Sequence, residues 1–159
     1  MCYHDQKLYV TYCSPGKVET LDLDGNGVWY IDSFHQPNLF HVTVFNDNDK
    51  TNICVSDNST HRITILNLFK TLDWRLHTLH GNNPRGIVTL CSGVIGVCSV
   101  TSSEFYIISR VRGNHWSYKK FKCVKSPLSV AYCDDTGTLY LSSGDSKQGN
   151  YIHTYVVTK

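Results

Sequence analysis

The stretch that decides the fold is Asn83-Pro84-Arg85-Gly86-Ile87-Val88-Thr89-Leu90, a proline-containing turn that runs into an apolar segment. A similar arrangement starts at Pro37, 47 residues earlier, and at Pro127, 43 residues later. A second apolar run follows each copy and also occurs near the amino terminus. These runs are Leu8-Tyr9-Val10, Ile53-Cys54-Val55, Ile95-Gly96-Val97 and Leu139-Tyr140-Leu141. One repeat therefore extends over nearly the whole chain.

The spacing of this repeat predicts the fold. Periods of 42 to 47 residues, with several short strand-like runs in each period, are typical of β-propeller blades. No apolar stripe with a helical period extends over ten residues. We therefore predict an all-β protein, a partial propeller of about 3.5 blades over residues 1–159. The predicted blades are approximately 1–34, 35–80, 81–124 and 125–159, and the outer strand of the second is expected near 75–79.

An incomplete ring has consequences for association. Blades bury their faces only against neighbouring blades, and closed propellers carry roughly four to eight of them. A partial ring leaves two blade faces uncovered, which favours self-association. The sequence thus predicts a fragment of a larger propeller, an incomplete gene product, or a chain that needs a partner, such as a second copy of itself, to complete the ring.

Basic residues are concentrated in one part of the chain. The net charge is only +2, but 105–133 contains no acidic residue. Cations there alternate with aromatic side chains, an arrangement that suits single-stranded RNA. The candidate RNA-binding residues are Arg110, Arg112, Trp116, Lys119, Lys120 and Lys122. The alternative interpretation is an outer strand with solvated lysines and buried aromatic side chains.

Metal and thiol chemistry find little support in the sequence. Asp22-x-Asp24-x-Asn26-Gly27 matches the start of a calcium-binding EF-hand loop, but Ser33 stands where that loop requires a glutamate. We therefore predict that this segment is a hairpin turn and that the protein binds no metal or cofactor. The seven cysteines form no CxxC pair and the amino terminus lacks a secretory pattern, which together predict a cytoplasmic protein. No apolar stretch is long enough to span a membrane, so we predict no membrane segment. Cys91 and Cys98 are predicted to be small core residues.

Several segments resemble a known repeat. Pro84 to Ile87, residues 56–65 (Ser-Asp-Asn-Ser-Thr-His-Arg-Ile-Thr-Ile) and residues 12–32 are similar to the NHL-repeat propellers at the carboxyl end of invertebrate, especially molluscan, tripartite-motif proteins. The resemblance implies a six-bladed propeller that follows RING, B-box and coiled-coil segments of ubiquitin ligases. Those segments are not found in this sequence, so any ligase activity is expected to belong elsewhere.

The predicted function is a non-catalytic interaction module that recognises a protein partner or a ubiquitination substrate. Arg62 and Arg85 lie beside predicted turns, near the expected propeller mouth, and are the candidate partner-binding residues. The first alternative is RNA binding through 110–125. The second is a calcium-dependent propeller hydrolase, which the residues Asn38, Arg85 and Leu128 at the blade openings disfavour because they offer a poor calcium cage.

Overall fold

The computed structural model describes residues 1–14, 16–31, 38–47, 50–67, 70–76, 83–91, 93–112, 115–144 and 151–157. Within these ranges every regular element is a β-strand, which confirms the all-β prediction. The same ranges contain no helix that could cross a lipid bilayer.

The strands form four antiparallel sheets, and strand order within each sheet follows the chain. The first sheet contains β1 (Cys2–His4), β2 (Lys7–Cys13), β3 (Gly16–Leu21) and β4 (Gly27–Ile31). The second contains β5 (Leu39–Asp47), β6 (Lys50–Asp57), β7 (Arg62–Asn67) and β8 (Lys70–Leu76). The third contains β9 (Pro84–Cys91), β10 (Val94–Ser99), β11 (Glu104–Arg112) and β12 (His115–Lys122). The fourth contains β13 (Pro127–Cys133), β14 (Thr138–Ser143) and β15 (Ile152–Val156).

Burial along the strands shows how the sheets are stacked. In β3 buried and half-buried residues alternate, because only one face of the first sheet is covered. In β6 and β7 nearly every residue is buried, because the second sheet is covered on both faces. Apolar clusters fill the spaces between consecutive sheets. The sheets therefore form a stacked series with one open face at each end.

The repeat seen in the sequence has one structural form. In the second, third and fourth sheets, the residue after the second strand donates its backbone N–H to the carbonyl before the first strand. These bonds run from Asn58 to Asn38 (3.1 Å), from Val100 to Asn83 (3.0 Å) and from Gly144 to Ser126 (2.9 Å). Beside each bond the pairing of the first two strands contains a bulge. We call this edge, where the first strands of the sheets begin, the mouth end.

The innermost strands of the third and fourth sheets touch through their backbones. A Cβ atom on Gly86 would lie 2.8 Å from the Cα of Ser129 and 2.8 Å from the nitrogen of Val130. Real side chains do not approach backbone atoms so closely, so glycine is needed at this position. The Gly86 in the repeated motif thus sets the spacing between two sheets.

Some predicted boundaries differ from the structure. The outer strand of the second sheet is β8 at Lys70–Leu76 and does not start near 75, because strand pairing already begins with Asn67 and Lys70. The predicted blade limits at 34/35 and 80/81 lie outside the described residues. The limit at 124/125 falls in the segment between β12 and β13.

Candidate recognition site at the mouth end

Arg85 lies at the mouth end of β9 and is half-buried. Its guanidinium carbon is 4.3 Å from the centroid of the Phe40 ring, a stacking geometry that fixes the orientation of the guanidinium plane. Its backbone carbonyl accepts a 2.8 Å hydrogen bond from Ser56 Oγ. Its Nε is buried and has no hydrogen-bond partner among the described residues. Arg85 is thus held in place, and its Nε–H group donates no hydrogen bond to the described residues.

His41 borders this arginine. Burial lowers the pKa of His41, and the positive charges of the amino terminus and of Arg85 lower it further, against a hydrogen bond with the Arg85 backbone that raises it. His41 Nδ1 is buried and unpartnered in the described part of the chain. The lowered pKa favours the neutral imidazole, so His41 adds little positive charge beside Arg85.

Three neighbouring sheets present one residue each at the same position. The bulge in each first strand follows the first paired residue, which is Leu39, Pro84 or Pro127. The next residues are Phe40, Arg85 and Leu128. The prediction that Asn38 occupies the position of Arg85 is therefore wrong. An alignment on the prolines missed this because β5 begins at Leu39, whereas β9 and β13 begin with their prolines.

Arg62 also lies at the mouth end, where it begins β7 and is paired in register with Asp57. Asp57 organises the turn that leads to Arg62. Its Oδ1 accepts a hydrogen bond from Ser59 Oγ at 2.7 Å, and its Oδ2 accepts one from Thr60 Oγ1 at 2.6 Å. Burial raises the pKa of Asp57, but these hydroxyls and nearby backbone N–H groups lower it more. Arg62 and Arg85 share one edge of the fold but lie on different sheets.

The candidate RNA-binding residues Arg110 and Trp116 are used in packing at the opposite end. Arg110 Nη1 lies 2.9 Å from Asp47 Oδ2. The Arg110 guanidinium carbon is 5.3 Å from the Trp116 ring centroid. Trp116 in turn meets Phe45 edge to face, with centroids 5.9 Å apart. These contacts join the third sheet to the second and leave little of either side chain for a base or a phosphate.

Lys120 and Lys122 share one carboxylate. Their Nζ atoms lie 3.2 and 3.4 Å from Glu104 Oε1. Tyr106 donates its hydroxyl to Glu104 Oε2 at 2.8 Å. The Tyr106 hydrogen bond, followed by those of Lys120, Ser102 and Lys122, lowers the pKa of Glu104 to about 2 against the opposing effect of burial. The local positive charge of the two lysines is therefore partly neutralised.

The remaining residues of the basic stretch do not join these cations into one RNA-binding surface. Lys119 is exposed on β12, on the face opposite to Lys120. Arg112 ends β11, but its side chain lies outside the described part of the chain. Tyr118 and Phe121 are 42% and 50% exposed, so the interpretation with buried aromatic side chains is wrong for both. Arg110 and Glu104 are six residues apart in β11, about 20 Å at ~3.3 Å per residue, which separates the two groups of cations.

The turn at Asp22 forms as predicted, whereas only one of the two predicted core cysteines is buried. Asp22 Oδ1 accepts from the backbone N–H of Asn26 at 2.7 Å and of Asp24 at 3.0 Å, which confirms the hairpin turn. In the described ranges no three His, Cys, Asp or Glu side chains are grouped as metal ligands. Cys98 is buried as predicted, but Cys91 is exposed because it ends β9.

Comparisons with known proteins identify the fold. No family model matches the sequence, and no curated protein matches it. The β-propeller domain of Cps50 (Swd1) from Myceliophteria thermophila is similar in structure, with 13% identity and a TM-score of 0.72 over 97% of this chain and 49% of that chain. A chain of the Chaetomium thermophilum polycomb repressive complex 2 is similar with 14% identity and a TM-score of 0.65, over 91% of this chain and 32% of that one.

A third similar structure is a functionally unknown protein from Desulfotomaculum acetoxidans, at 12% identity and a TM-score of 0.62 over 91% of this chain and 48% of that one. The chain thus spans half or less of the length of these structures. The likeness shows the fold, and the chain is a partial β-propeller, as the repeat predicts.

Proposed function

We propose that this chain is a non-catalytic protein-recognition module whose mouth end binds an acidic segment of a partner protein through Arg85. The observation that carries the proposal is the half-buried Arg85 guanidinium, which is stacked on Phe40 and paired with no carboxylate of the described residues. A cation that is already oriented loses little side-chain entropy when it binds. A partner carboxylate would accept hydrogen bonds from the part of this side chain that stays exposed.

The neighbours of Arg85 define the chemistry of the bound segment. Phe40 and Leu128 occupy the equivalent positions on the adjacent sheets and offer apolar contacts on either side of the cation. His41, whose pKa is lowered, adds little positive charge beside them. The best target is therefore an Asp or Glu flanked by apolar residues, in a loop or an extended segment. Arg62, at the same edge, would contact a longer segment.

We also propose a family for this chain. The resemblance of residues 12–32, 56–65 and 84–87 to NHL repeats supports an NHL-type propeller of the tripartite-motif family, in which the module would recognise a ubiquitination substrate. A propeller similar in structure is part of a multi-protein complex, which agrees with a role in protein binding. All seven cysteines are free thiols, which agrees with the reducing cytoplasm that we propose as its location.

The test uses paired peptides. A fluorescent library of short peptides carries Asp or Glu between apolar residues, and each peptide has an Asn or Gln counterpart. Fluorescence polarisation should show binding of acidic peptides that weakens roughly tenfold or more in Arg85→Ala, since a hydrogen bond to a charged group contributes about 1.5–3 kcal/mol. Arg85→Lys, which keeps the charge but loses the planar fork, should recover only part of the affinity.

Lys119→Ala is the matched control, because Lys119 is an exposed cation on β12 away from Phe40. It should bind the peptides as the wild type does. Equal binding of acidic and amide peptides, or equal effects of the Arg85 and Lys119 substitutions, would overturn the proposal.

RNA binding remains the alternative proposal, and exposed Lys119, Tyr118 and Phe121 are the residues of the basic stretch that still suit it. A labelled single-stranded oligonucleotide in the same assay tests it. Affinity that falls steeply with salt and is lost in Lys119→Ala would favour RNA over an acidic peptide.

A further inference from the structure

The first sheet has an apolar face that no other sheet among the described residues covers. Tyr3, Leu8 and Leu21 form a row across β1, β2 and β3 on this face. In the second sheet the same register is occupied by Val44, Ile53 and Leu66. That second row is packed against the first sheet and is 0–4% exposed. Tyr3, by contrast, is 60% exposed.

The fourth sheet has the opposite open face. Tyr140 lies in the centre of β14 at the position that Tyr9 occupies in β2, on the side directed at the following sheet. Tyr9 is covered by the second sheet and is 2% exposed, whereas Tyr140 is 38% exposed. The open face of the fourth sheet therefore carries a tyrosine at the position where, in the first sheet, the tyrosine is buried by the next sheet.

The two open faces differ in shape in a complementary way. On the face of the fourth sheet the small side chains Ser129, Ala131 and Ser142 lie beside Tyr140, with exposed Ile152 at the edge, around a concavity of 150 Å³. The face of the first sheet has the bulky side chains Tyr3, Tyr12 and Tyr30.

The charged side chains Lys17 and Glu19 lie on the bulky face of the first sheet and pair with each other at 3.1 Å. The Lys17 ammonium also lies 5.5 Å and 5.1 Å from the ring centroids of Tyr12 and Tyr30. Covering this face would therefore not leave an isolated charge without a partner.

We propose that the open face of the first sheet in one copy docks on the open face of the fourth sheet in a second copy, so that two chains close one ring. Each interface would repeat the contact that consecutive sheets make three times within one chain, so the chain supplies the template for its own docking surface. Four sheets from each copy give a ring of eight, which is within the range of closed propellers and two blades more than the NHL resemblance implies.

The first measurement is the mass and shape of the purified chain by analytical ultracentrifugation and small-angle scattering, up to about 100 µM, where even weak dimers are populated. A dimer of toroidal shape is expected, and its mass should not increase with further concentration. A monomer over this range, or oligomers that keep growing, would overturn the proposal.

Two variants locate the interface. Tyr3→Lys changes the first-sheet face, and Ala131→Lys places a bulky cation on the fourth-sheet face. Both positions are exposed in one copy, so the fold should be unaffected. Each variant should weaken dimerisation about tenfold or more, since an unpaired charge would be buried. Tyr118→Lys is the matched control, because Tyr118 is similarly exposed at 42% but lies on β12, and it should dimerise normally.

A mixture of the two variants tests the head-to-tail arrangement. In a mixed dimer one interface combines two unmodified faces, so Tyr3→Lys mixed with Ala131→Lys should dimerise better than either variant alone. If first-sheet faces paired with each other, Ala131→Lys alone would dimerise as the wild type does. That result, or a mixture no better than its components, would overturn the proposal.

Discussion

Arg110 and Asp47 join the third sheet to the second through a contact of 2.9 Å between Nη1 and Oδ2, at the end opposite the mouth. Both side chains are largely withdrawn from solvent, with 21% and 12% exposed. Trp116 lies against the Arg110 guanidinium and meets Phe45 edge to face beside the pair. The interaction between the sheets thus combines a charge pair with aromatic stacking.

Replacing this arginine should reduce stability. Arg110→Lys keeps the charge but loses the planar contact with Trp116, and we expect about 1–2 kcal/mol lower free energy of unfolding by urea denaturation. In a double-mutant cycle, Arg110→Ala and Asp47→Ala should couple by roughly 1 kcal/mol. Lys119→Ala serves as the control for an exposed cation. A coupling energy of zero would mean that the pair contributes nothing measurable.

The stability contributed by Glu104 should depend on pH. Its folded-state pKa is lowered to about 2, below the ordinary value of 4.5. Such a group stabilises the fold above its unfolded-state pKa, and the contribution is lost as the pH falls from about 4.5 towards 2.

Glu104→Gln should therefore be less stable than the wild type at pH 7, by about 1–3 kcal/mol. The difference should shrink between pH 4.5 and pH 2.5 in urea unfolding curves. A difference that stays constant over this range would contradict a role for the carboxylate charge.

Gly86→Ala should destabilise the contact between the third and fourth sheets. The new methyl group would meet the backbone of Ser129 and Val130 at 2.8 Å, and backbone cannot rotate away, so we expect a loss of about 1–3 kcal/mol. Gly144→Ala is the matched control, since its methyl group meets the Leu128 side chain, which can change rotamer. Thermal unfolding should show a larger decrease in Tm for Gly86→Ala. The reverse order would exclude backbone contact as the cause.

Two half-buried cysteines, Cys133 and Cys123, should differ in their rates of alkylation. Hydrogen bonds from the Thr136 hydroxyl and backbone lower the pKa of Cys133, whereas burial raises the pKa of Cys123 to about 11. Since the thiolate is the reactive form, Cys133 should be alkylated faster than Cys123 at pH 8. Peptide mapping by mass spectrometry after timed exposure to iodoacetamide measures both rates. Cys54, which is fully buried, should react only after unfolding.

The fold could be predicted because its repeat is local and regular. The spacing of Pro37, Pro84 and Pro127 and of the four apolar runs predicted a partial propeller, and the structural comparisons confirm it. The position of β8 was missed, since strand limits depend on pairing between Asn67 and Lys70 that a composition pattern does not contain.

Only part of the candidate site could be predicted from the sequence. Arg85 was noted from its turn, but Phe40 and His41 were missed, because β5 begins at Leu39 whereas β9 begins with its proline. The basic stretch Arg110 to Lys122 suggested one surface, whereas contacts with Asp47 and Glu104 divide it between the two ends of β11. Those partners are distant in sequence or hidden in the pairing of strands, so composition could not reveal them.

The stacked arrangement of the sheets also determines how the molecule opens. Each sheet is stabilised by its immediate neighbours, so local unfolding should begin at the two outer sheets and proceed inward. Backbone amides of β6 and β10 should then exchange with deuterium more slowly than those of β2 and β14 in an isolated copy. Covering the outer faces would abolish this gradient, so the exchange pattern alone would report whether the stack is open or closed.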